Sequence, residues 1–304
     1  MNEHRFDGRV AVVTGAGRGI GRAYARLLAE RGASVVVNDL GGSMGGDGAD
    51  PAPAEAVVAD IIAAGGTAVA DASDVSDAEG AATLVGTALD RFGRVDVVVN
   101  NAGIIRWAGL PDADADNLER HLAVHVHGSF NTIRAAWSHM VDAGYGRIVN
   151  TTSSGVFGLP QNLSYATAKG GVIGMTRSLA TAGGEHGIKA NLIAPAAMTR
   201  MAGQGAGEAE PPDAGPMASH LVAPMVAYLA HEDCPVTGEI YAAGAGRFAR
   251  VFIASTPGYL HADADPTIED VARSWSEIND EAGYTVPIDL MDWSGTFTAH
   301  LRSG

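Results

Sequence analysis

The chain has 304 residues, of which 46% are hydrophobic and 18% are charged, a composition that is typical of a folded globular protein and excludes general disorder. It carries 35 acidic residues against 20 Lys and Arg, and the net charge of −15 argues against binding to nucleic acid or to an anionic membrane surface. The single cysteine excludes an internal disulfide framework, and without an apolar signal core or a membrane-spanning apolar run we expect a cytoplasmic protein.

Short β-branched runs alternate with helical patterns along most of the chain. The predicted strands are Val10–Thr14, Ser34–Asp39, Thr67–Ala72, Val95–Asn100, Arg147–Thr151, Ile188–Ala194 and Glu239–Ala242. The predicted helices are Ile20–Arg31, Ala54–Ala64, Asp77–Phe92, Asp116–Ala143, Tyr165–Gly183 and Val222–Ala230. Strands that are almost entirely apolar and alternate with helices predict an α/β fold, with one doubly wound parallel sheet and helices on both faces.

Three segments interrupt this alternation. Gly41–Pro53 is a long glycine-rich loop, and Ala196–Ala218 is expected to be a mobile one. After about Gly258 the chain becomes acidic and aromatic, with one predicted helix over Thr267–Ala282. We therefore expect residues 1–246 to form one domain and residues 247–304 to form an extension that packs on this domain or on a neighbouring subunit.

A glycine-rich turn, Thr14–Gly21, joins the first strand to the first helix. Glycines let a backbone approach a pyrophosphate closely, and the helix N-terminus offers N–H groups and a positive dipole end. The spacing is G-x-x-x-G-x-G and differs from the common G-x-G-x-x-G fingerprint, because Ile20 stands where the third glycine belongs. The candidate phosphate-binding residues are Gly15, Gly17, Arg18, Gly19, Ile20 and Gly21.

Asp39 ends the second strand and indicates which dinucleotide binds. Its carboxylate can accept hydrogen bonds from an adenosine ribose and would repel a 2′-phosphate, so it favours NAD over NADP. Arg18 favours the opposite choice, because a guanidinium in the turn could meet a 2′-phosphate. The structural alternative is that Asp39 only begins the following turn.

Tyr165 and Lys169 form the predicted chemical centre. They are four positions apart and lie on one face of a predicted helix. An ammonium near a phenol lowers the pKa of the tyrosine, which can then exchange a proton with an alcohol while hydride moves to or from a nicotinamide. A surface pair of no function is the alternative for this common spacing.

Two further stretches accompany this pair, Asn150–Gly155 before the helix and Asn100–Gly103 after the fourth strand. Together with the glycine-rich turn they resemble the short-chain dehydrogenase/reductase family over about Gly8–Gly246. The resemblance implies a Rossmann-type sheet, a nicotinamide cofactor and a Ser–Tyr–Lys site in which Lys169 also binds the nicotinamide ribose. The further cofactor-binding positions that it implies are Asp74, Val75, Asn101, Ala102, Gly103, Pro195 and Thr199.

The family serine has two candidates here. Counting 13 positions back from Tyr165 gives Thr152, whereas counting forward from the strand gives Ser153 with one residue deleted before the tyrosine. We choose Ser153, because strand register fixes side-chain direction and a loop absorbs a deletion easily. His125 stands where the family usually has an asparagine that holds a proton-relay water, so we assign it to the catalytic set.

Several stretches are similar to one branch of this family, the (3R)-hydroxyacyl-CoA dehydrogenase portion of peroxisomal multifunctional enzymes and their bacterial relatives. They are Val37–Gly42 with its long loop, His125–Phe130, Ala135–Trp137, Ala194–Pro195 and Thr199–Met201. This similarity implies a 3-hydroxyacyl thioester or a hydroxysteroid as substrate. The acidic net charge weighs against a phosphate-rich CoA ester, unless Arg200, Arg247 and Arg250 form a local basic patch.

The leading hypothesis is an NAD-dependent enzyme that interconverts a small-molecule alcohol and a ketone, with no metal. His121, His125 and His127 lack a partner at ligand spacing that would complete a metal site. The alternatives are NADP-dependent ketone reduction and a non-catalytic dinucleotide-binding sensor or scaffold. Apolar residues on the helices Asp116–Ala143 and Tyr165–Gly183 further predict a homotetramer.

Overall fold

The computed structural model describes residues 3–201, 215–262 and 265–302. It divides into two compact units, the first ending at Arg250 and the second beginning at Val251. Most of the loop expected over Ala196–Ala218 lies outside the described residues. Within those residues, no helix combines the length and the apolar character needed to cross a membrane.

The first unit is built on a twisted sheet whose strands run in the order β3-β2-β1-β4-β5-β6-β7-β8. The strands are β1 Val10–Thr14, β2 Ser34–Asn38, β3 Thr67–Asp71, β4 Val97–Asn100, β5 Gly146–Thr151, β6 Ile188–Pro195, β7 Ile240–Gly244 and β8 Arg247–Val251. Neighbours from β3 through to β7 pair in parallel, which confirms the predicted α/β fold with a doubly wound parallel sheet. The strand order reverses between β1 and β4, and such a switch point opens a crevice at the carboxyl ends of the strands.

Helices cover both faces of this sheet. The helices are α1 Gly19–Glu30, α2 Ala52–Ala63, α3 Ala78–Phe92, α4 Ala115–His121, α5 Gly128–Ala143, α6 Leu163–Gly183 and α7 Ala223–Ala230. Shorter 3-10 turns occur at Ser154–Phe157, Gly184–His186, Gly215–Met217 and Ser219–Leu221. One buried apolar cluster includes Leu28 of α1 and Leu229 of α7, and a second includes Leu84 of α3 and Met140 of α5. Valines of the strands contribute to both clusters, which is why these strands are apolar on both sides.

The sequence predicts one helix over Asp116–Ala143, but the structure has two α-helices there that are joined by an irregular turn. Between α4 and α5 the chain forms a π-helical turn, Leu122–His127. Such turns place one extra residue in a helix and often occur at functional sites. This turn contains His125, a residue of the predicted catalytic set.

The end of the first unit contains a strand that the sequence patterns did not predict. Strands β7 and β8 are joined by Ala245 and Gly246, whose φ values are 50° and 73°. Two consecutive residues with positive φ are typical of a tight hairpin turn between antiparallel strands. Because β8 is exposed along almost its whole length, it lacks the apolar run that marks the other strands.

The second unit contains three short helices, α8 Ile268–Arg273, α9 Trp275–Ile278 and α10 Leu290–Phe297, and a 3-10 turn at Ala299–Arg302. The prediction of one helix over Thr267–Ala282 was wrong in its extent, since the helical structure is broken at Ser274 and ends at Ile278. The start was correct, because Thr267 caps α8 by accepting the N–H of Asp270, whose carboxylate bonds back to the N–H of Thr267.

Candidate active site

A cavity of about 610 Å³ opens at the carboxyl ends of the parallel strands. Its wall combines residues that follow β1 to β5 with the end of β6 and residues of α6. The predicted site residues that line it are Gly15, Arg18, Gly19, Ile20, Asp39, Asp74, Val75, Asn101, Ala102, Gly103, His125, Ser153, Tyr165, Lys169, Pro195 and Thr199. Gly17 and Gly21 are the predicted residues that do not line it.

The structure shows why those two positions carry glycine. A Cβ on Gly21 would stand 2.2 Å from the carbonyl oxygen of Gly15, and a Cβ on Gly17 would stand 2.8 Å from a carboxylate oxygen of Asp39. Both glycines therefore permit the tight turn that brings Gly15 and Gly19 to the cavity. They act through the shape of the turn and not as part of the cavity wall.

Asp39 is 9% exposed and lines the cavity, yet its carboxylate already has partners in the protein. One oxygen accepts the N–H of Gly17 at 2.8 Å and the other accepts the N–H of Gly41 at 2.7 Å. Asp39 thus begins the glycine-rich loop and also faces the cavity, so the two sequence alternatives are compatible. Because a carboxylate oxygen can accept more than one hydrogen bond, Asp39 can also accept one from a ribose hydroxyl.

The cavity wall is locally cationic although the chain is acidic. Arg18, Arg120 and Arg200 line it, against two acidic groups, those of Asp39 and Asp74. Arg18 and Arg200 both approach the carbonyl oxygen of Gly42, at 3.4 Å and 3.3 Å, and so hold the glycine-rich loop beside the cavity. The net charge of the whole chain is consequently a poor guide to the ligand, and the cavity suits an anion.

Buried polar atoms that lack a protein partner concentrate around this cavity. Within the described residues, five of them belong to cavity-lining side chains: Asn101 Oδ1, Trp107 Nε1, His125 Nδ1, Thr151 Oγ1 and Asn162 Oδ1. Folded proteins normally satisfy such atoms, through a ligand where the protein offers no partner. The glycine turn, the cationic wall and these atoms fit a dinucleotide, which is rich in phosphate and hydroxyl oxygens.

Ser153 and Tyr165 meet at one side of the cavity. Both side chains line the cavity, and the hydroxyl of Ser153 accepts the N–H of Gly155 at 3.0 Å and lies near enough to the phenol of Tyr165 to lower its pKa. Thr152, the alternative serine position, is 1% exposed and donates its hydroxyl to the carbonyl oxygen of Lys169 at 3.0 Å. The geometry therefore brings Ser153, and not Thr152, to the tyrosine.

Lys169 lies one helical turn beyond Tyr165 and is 3% exposed. Its amino group donates to the carbonyl oxygen of Thr151 at 2.8 Å and stands 5.5 Å from the centre of the tyrosine ring. Burial lowers the pKa of Lys169 from 10.5 to about 7, because a charged ammonium is poorly solvated there.

The pKa of Tyr165 differs from the sequence expectation. Burial raises it above the ordinary value of 10, and the hydrogen bond from Ser153 lowers it by a smaller amount. The expected lowering by Lys169 is not found, since burial disfavours the charged form of both side chains. Tyr165 is thus a neutral phenol and a proton donor at neutral pH.

His125 extends from the π-helical turn and packs edge-on against Tyr165, with 5.2 Å between the ring centres. Burial lowers the pKa of His125 well below 6.5, so the ring is neutral. Its Nε2 lies 2.9 Å from the carbonyl oxygen of Ile104 and 3.3 Å from the backbone nitrogen of the same residue, so the backbone of Ile104 fixes the orientation of the ring. A Cβ on Gly103 would stand 2.5 Å from the ring, so glycine is required there.

Three residues near the site were not predicted as functional. His121 stacks on His125 with 6.0 Å between ring centres, and both of its nitrogens are hydrogen-bonded to backbone, Nδ1 to Asn117 and Nε2 to Arg106. Its spacing of four from His125 was the available signal, which we considered only for metal binding. Arg120 and Asn162 also line the cavity, and no sequence spacing indicated either of them.

Comparison with known proteins gives concordant results. The family profile described as short chain dehydrogenase matches residues 9–209. A short-chain type dehydrogenase/reductase of Mycobacterium tuberculosis is 44% identical over 277 residues, covering 90% of this chain and 95% of that protein. Peroxisomal multifunctional enzyme type 2 of Mus musculus is 42% identical over 299 residues, covering 96% of this chain and 39% of the mouse protein.

A solved structure extends the similarity to three dimensions. The full-length peroxisomal multifunctional enzyme type 2 of Drosophila melanogaster superposes with a TM-score of 0.80 at 34% identity, over 98% of this chain and 50% of that one. The chain spans half or less of the length of these two peroxisomal relatives. Activities of the whole peroxisomal proteins therefore do not transfer directly.

Proposed function

The chain belongs to the short-chain dehydrogenase family and is an oxidoreductase, and we propose that it interconverts a secondary alcohol and a ketone with NAD as cofactor. The observation that carries this proposal is the arrangement around one cavity of Ser153, Tyr165 and Lys169, with neutral His125 packed against the tyrosine. The three hydrogen-bonding side chains suffice for proton transfer to or from a substrate oxygen.

A bound nicotinamide dinucleotide supplies the acceptor or donor of hydride. Tyr165, a neutral phenol beside Ser153, gives its proton to the ketone oxygen in reduction and takes it back in oxidation. Ser153 orients the same oxygen. Because Tyr165 is partly buried in the cavity wall, water competes less for these hydrogen bonds.

Lys169 and His125 support the proton transfer. With a pKa of about 7, Lys169 gains or loses a proton readily, and hydroxyl groups of a bound ribose would favour its charged form. A charged Lys169 would then lower the pKa of Tyr165. Nδ1 of His125 has no hydrogen-bond partner among the described residues and offers a place for a water that passes the proton onward.

For the substrate we favour a 3-hydroxyacyl thioester. The cationic side chains of the cavity wall suit the phosphates of a CoA ester, and the cavity volume is in the range of small-molecule sites. The similarity to peroxisomal multifunctional enzymes points in the same direction. A hydroxysteroid would use the same catalytic residues but carries no phosphate for the arginines of the cavity wall to bind.

Asp39 supports NAD over NADP, since its carboxylate faces the cavity next to the glycine turn. NADP-dependent reduction is the second candidate function, because Arg18 also lines the cavity and could meet a 2′-phosphate. A sensor without turnover is disfavoured by the complete set of catalytic side chains.

The homotetramer and the cytoplasmic location stay predictions. Of the apolar residues expected to form the contact, Ile133 and Val172 are buried within the chain, whereas Phe130 is 52% exposed and available. A monomeric mass by light scattering at micromolar concentration would contradict the tetramer. Among the relatives are proteins described as peroxisomal, so fractionation of cells is the matching test of location.

The function is tested by mixing the protein with NAD⁺ or NADP⁺ and a panel of secondary alcohols that includes 3-hydroxyacyl thioesters and hydroxysteroids. We expect NADH absorbance to rise with a 3-hydroxyacyl thioester. Reduction of NADP⁺ alone would support the second candidate. A protein that binds NADH but turns over no alcohol or ketone would be the sensor.

A further inference from the structure

Residues 103–107 form a part of the cavity wall that has neither helix nor strand structure. Four residues of this 103–107 segment line the cavity: Gly103, Ile104, Ile105 and Trp107. On one side the segment is fastened to the glycine-rich loop, because the N–H of Ile105 donates to the carbonyl oxygen of Met44 at 3.0 Å. The N–H groups of the residues before and after Ile105 have their partners elsewhere.

Two buried histidines hold the other side of the segment. The N–H of Arg106 donates to Nε2 of His121 at 3.2 Å. The backbone nitrogen of Ile104 lies 3.3 Å from Nε2 of His125. Successive N–H groups thus meet the histidines and the loop in turn, as they meet the two neighbours of a β-strand. The two imidazole rings, 0% and 1% exposed, therefore take the place of one neighbouring strand.

The hydrogen bonds of His121 require its neutral form with the proton on Nδ1. Nδ1 lies 2.7 Å from the carbonyl oxygen of Asn117, which can only accept a hydrogen bond. Nε2 is then the acceptor that the N–H of Arg106 needs. Burial keeps the pKa of His121 below 6.5, so the ring is neutral at neutral pH. Nδ2 of Asn117 donates to the carbonyl oxygen of Arg106 at 3.1 Å, so α4 binds both backbone groups of that residue.

His121 stands behind the proposed catalytic groups and does not line the cavity. Its ring stacks on His125 and packs edge-on against Tyr165, with 6.2 Å between the ring centres of His121 and Tyr165. Without an acceptor at Nε2 the segment would keep its bond to the glycine-rich loop but lose the bond from the N–H of Arg106. The contact of Ile104 with His125 would then change, because these residues are only two positions apart.

The residues just before the segment are held independently of His121. The N–H groups of Asn101 and Ala102 both donate to the hydroxyl of Thr14 at 3.0 Å. Asp39 likewise has its own backbone partners in Gly17 and Gly41. Loss of the His121 bond should therefore disturb the neighbourhood of Tyr165 more than the proposed cofactor positions.

We propose that His121 is a positioning residue for the reaction, which holds the 103–107 segment through the N–H of Arg106 and thereby keeps His125 in place against Tyr165. The inference rests on the proposed function, in which Tyr165 transfers the proton. A side chain of similar size without an acceptor leaves a buried N–H unpaired, and such a group is costly enough for the backbone to shift towards another partner.

The test compares His121→Gln with His121→Met. The amide oxygen of glutamine reaches the position of Nε2 and can accept the N–H of Arg106, whereas methionine has a similar volume but only a weakly accepting thioether. We measure kcat, KM and NADH affinity with the best alcohol or ketone of the panel. His127→Met is the matched control, because His127 is exposed and lies in the same π-helical turn as His125.

We expect kcat to fall about tenfold or more in His121→Met, since small displacements in a preorganised site have effects of at least this size. NADH affinity should stay close to that of the wild type. His121→Gln should retain most of the wild-type kcat, and His127→Met should leave it unchanged. Equal kcat in His121→Gln and His121→Met would show that His121 only fills space, and would overturn the proposal while leaving the proposed function intact.

A second readout does not need turnover. Amide hydrogen exchange of peptides that cover residues 103–107 is followed by mass spectrometry. Exchange should be about tenfold faster in His121→Met, the scale of one lost hydrogen bond, and as slow as in the wild type in His121→Gln. If His121→Met does not fold, His121→Asn replaces it, because the shorter amide reaches only the position of Nδ1.

The exchange result separates this proposal from the proposed function. Unchanged exchange in His121→Met, or in His121→Asn where that variant replaces it, would overturn the proposal whatever the turnover. Faster exchange in these variants of a protein that turns over no alcohol or ketone would support the hold of His121 on the segment and refute the proposed function.

Discussion

The two units of the chain use their apolar residues in opposite ways. In the first unit, large apolar side chains such as Leu28, Leu84 and Ile148 are almost completely buried on the two faces of the sheet. In the second unit no described residue is buried, and Ile288 and Leu290 are 82% and 71% exposed. A segment of this size is too short to build a core of its own. Helix-forming and capping signals can therefore fold a segment locally without burying its apolar side.

This comparison predicts that an Ile→Ala substitution lowers the free energy of unfolding much more in the first unit than in the second. Ile148→Ala in β5 should lower the free energy of unfolding by about 2–5 kcal/mol, because it leaves a cavity in the core. Ile288→Ala in the second unit should change it by less than about 0.5 kcal/mol, as at other exposed positions. Chemical denaturation of both variants in dilute solution checks this. Equal losses would show that the second unit is covered by another surface.

The next largest effect should come from the glycine turn. Gly21→Ala places a Cβ 2.2 Å from a backbone oxygen, so the turn must shift. Affinity for NADH should then fall by about a hundredfold or more, since displacements of one ångström have effects of this size in preorganised sites. Gly86→Ala is the matched control, because its Cβ meets open space on α3. Fluorescence titration of both variants with NADH measures this effect. Equal NADH affinities in the two variants would refute a role of the glycine turn in cofactor binding.

Lys169 should make stability depend on pH. Its pKa is about 7 in the folded protein and 10.5 when unfolded. The unfolded chain therefore holds the extra proton between these values, and stability rises with pH there. Relative to Lys169→Met, the wild type should gain about 2–3 kcal/mol between pH 7 and pH 9.5. A constant difference between the two proteins over this range would show that Lys169 is charged in the folded state.

The smallest effect concerns the choice of cofactor. Charged hydrogen bonds contribute roughly 1.5–3 kcal/mol each, so loss of the Asp39 carboxylate should narrow the preference for NADH over NADPH by at least about tenfold. Titration of Asp39→Ala and the wild type with both reduced cofactors at equal ionic strength measures this. Equal affinities, or tighter NADPH, in the wild type would mean that Arg18 sets the choice.

The central sheet could be predicted because most of its parallel strands are apolar on both faces and end near a turn residue. Strand β8 could not, since Arg247–Val251 is mostly exposed and carries no apolar run. The π-helical turn could not be predicted either, because nothing in the local sequence shows that His121 and His125 are hydrogen-bonded to the backbone around Ile104. Tertiary contacts, and not helix propensity, determine that irregularity.

The candidate site likewise contains some features that local sequence patterns predict and others that depend on contacts between distant parts of the chain. The glycine turn and the Tyr165–Lys169 spacing are local patterns that the sequence alone can indicate, and Gly15, Tyr165 and Lys169 line the cavity. The position of Asn162 beside Ser153 depends on a bridge to Ala108, more than 50 residues away in the chain. The pKa of Tyr165 depends on burial, which a spacing of four residues does not reveal.

The account as a whole depends on Tyr165 as the proton donor and acceptor. The most direct measurement compares turnover and NADH affinity in Tyr165→Phe and the wild type, with the best alcohol or ketone of the panel. Removing only the hydroxyl should lower kcat by about 10²–10⁴-fold, the usual contribution of a general acid or base, and leave NADH affinity nearly unchanged. A variant that retains more than about a tenth of wild-type turnover would contradict the assignment of Tyr165.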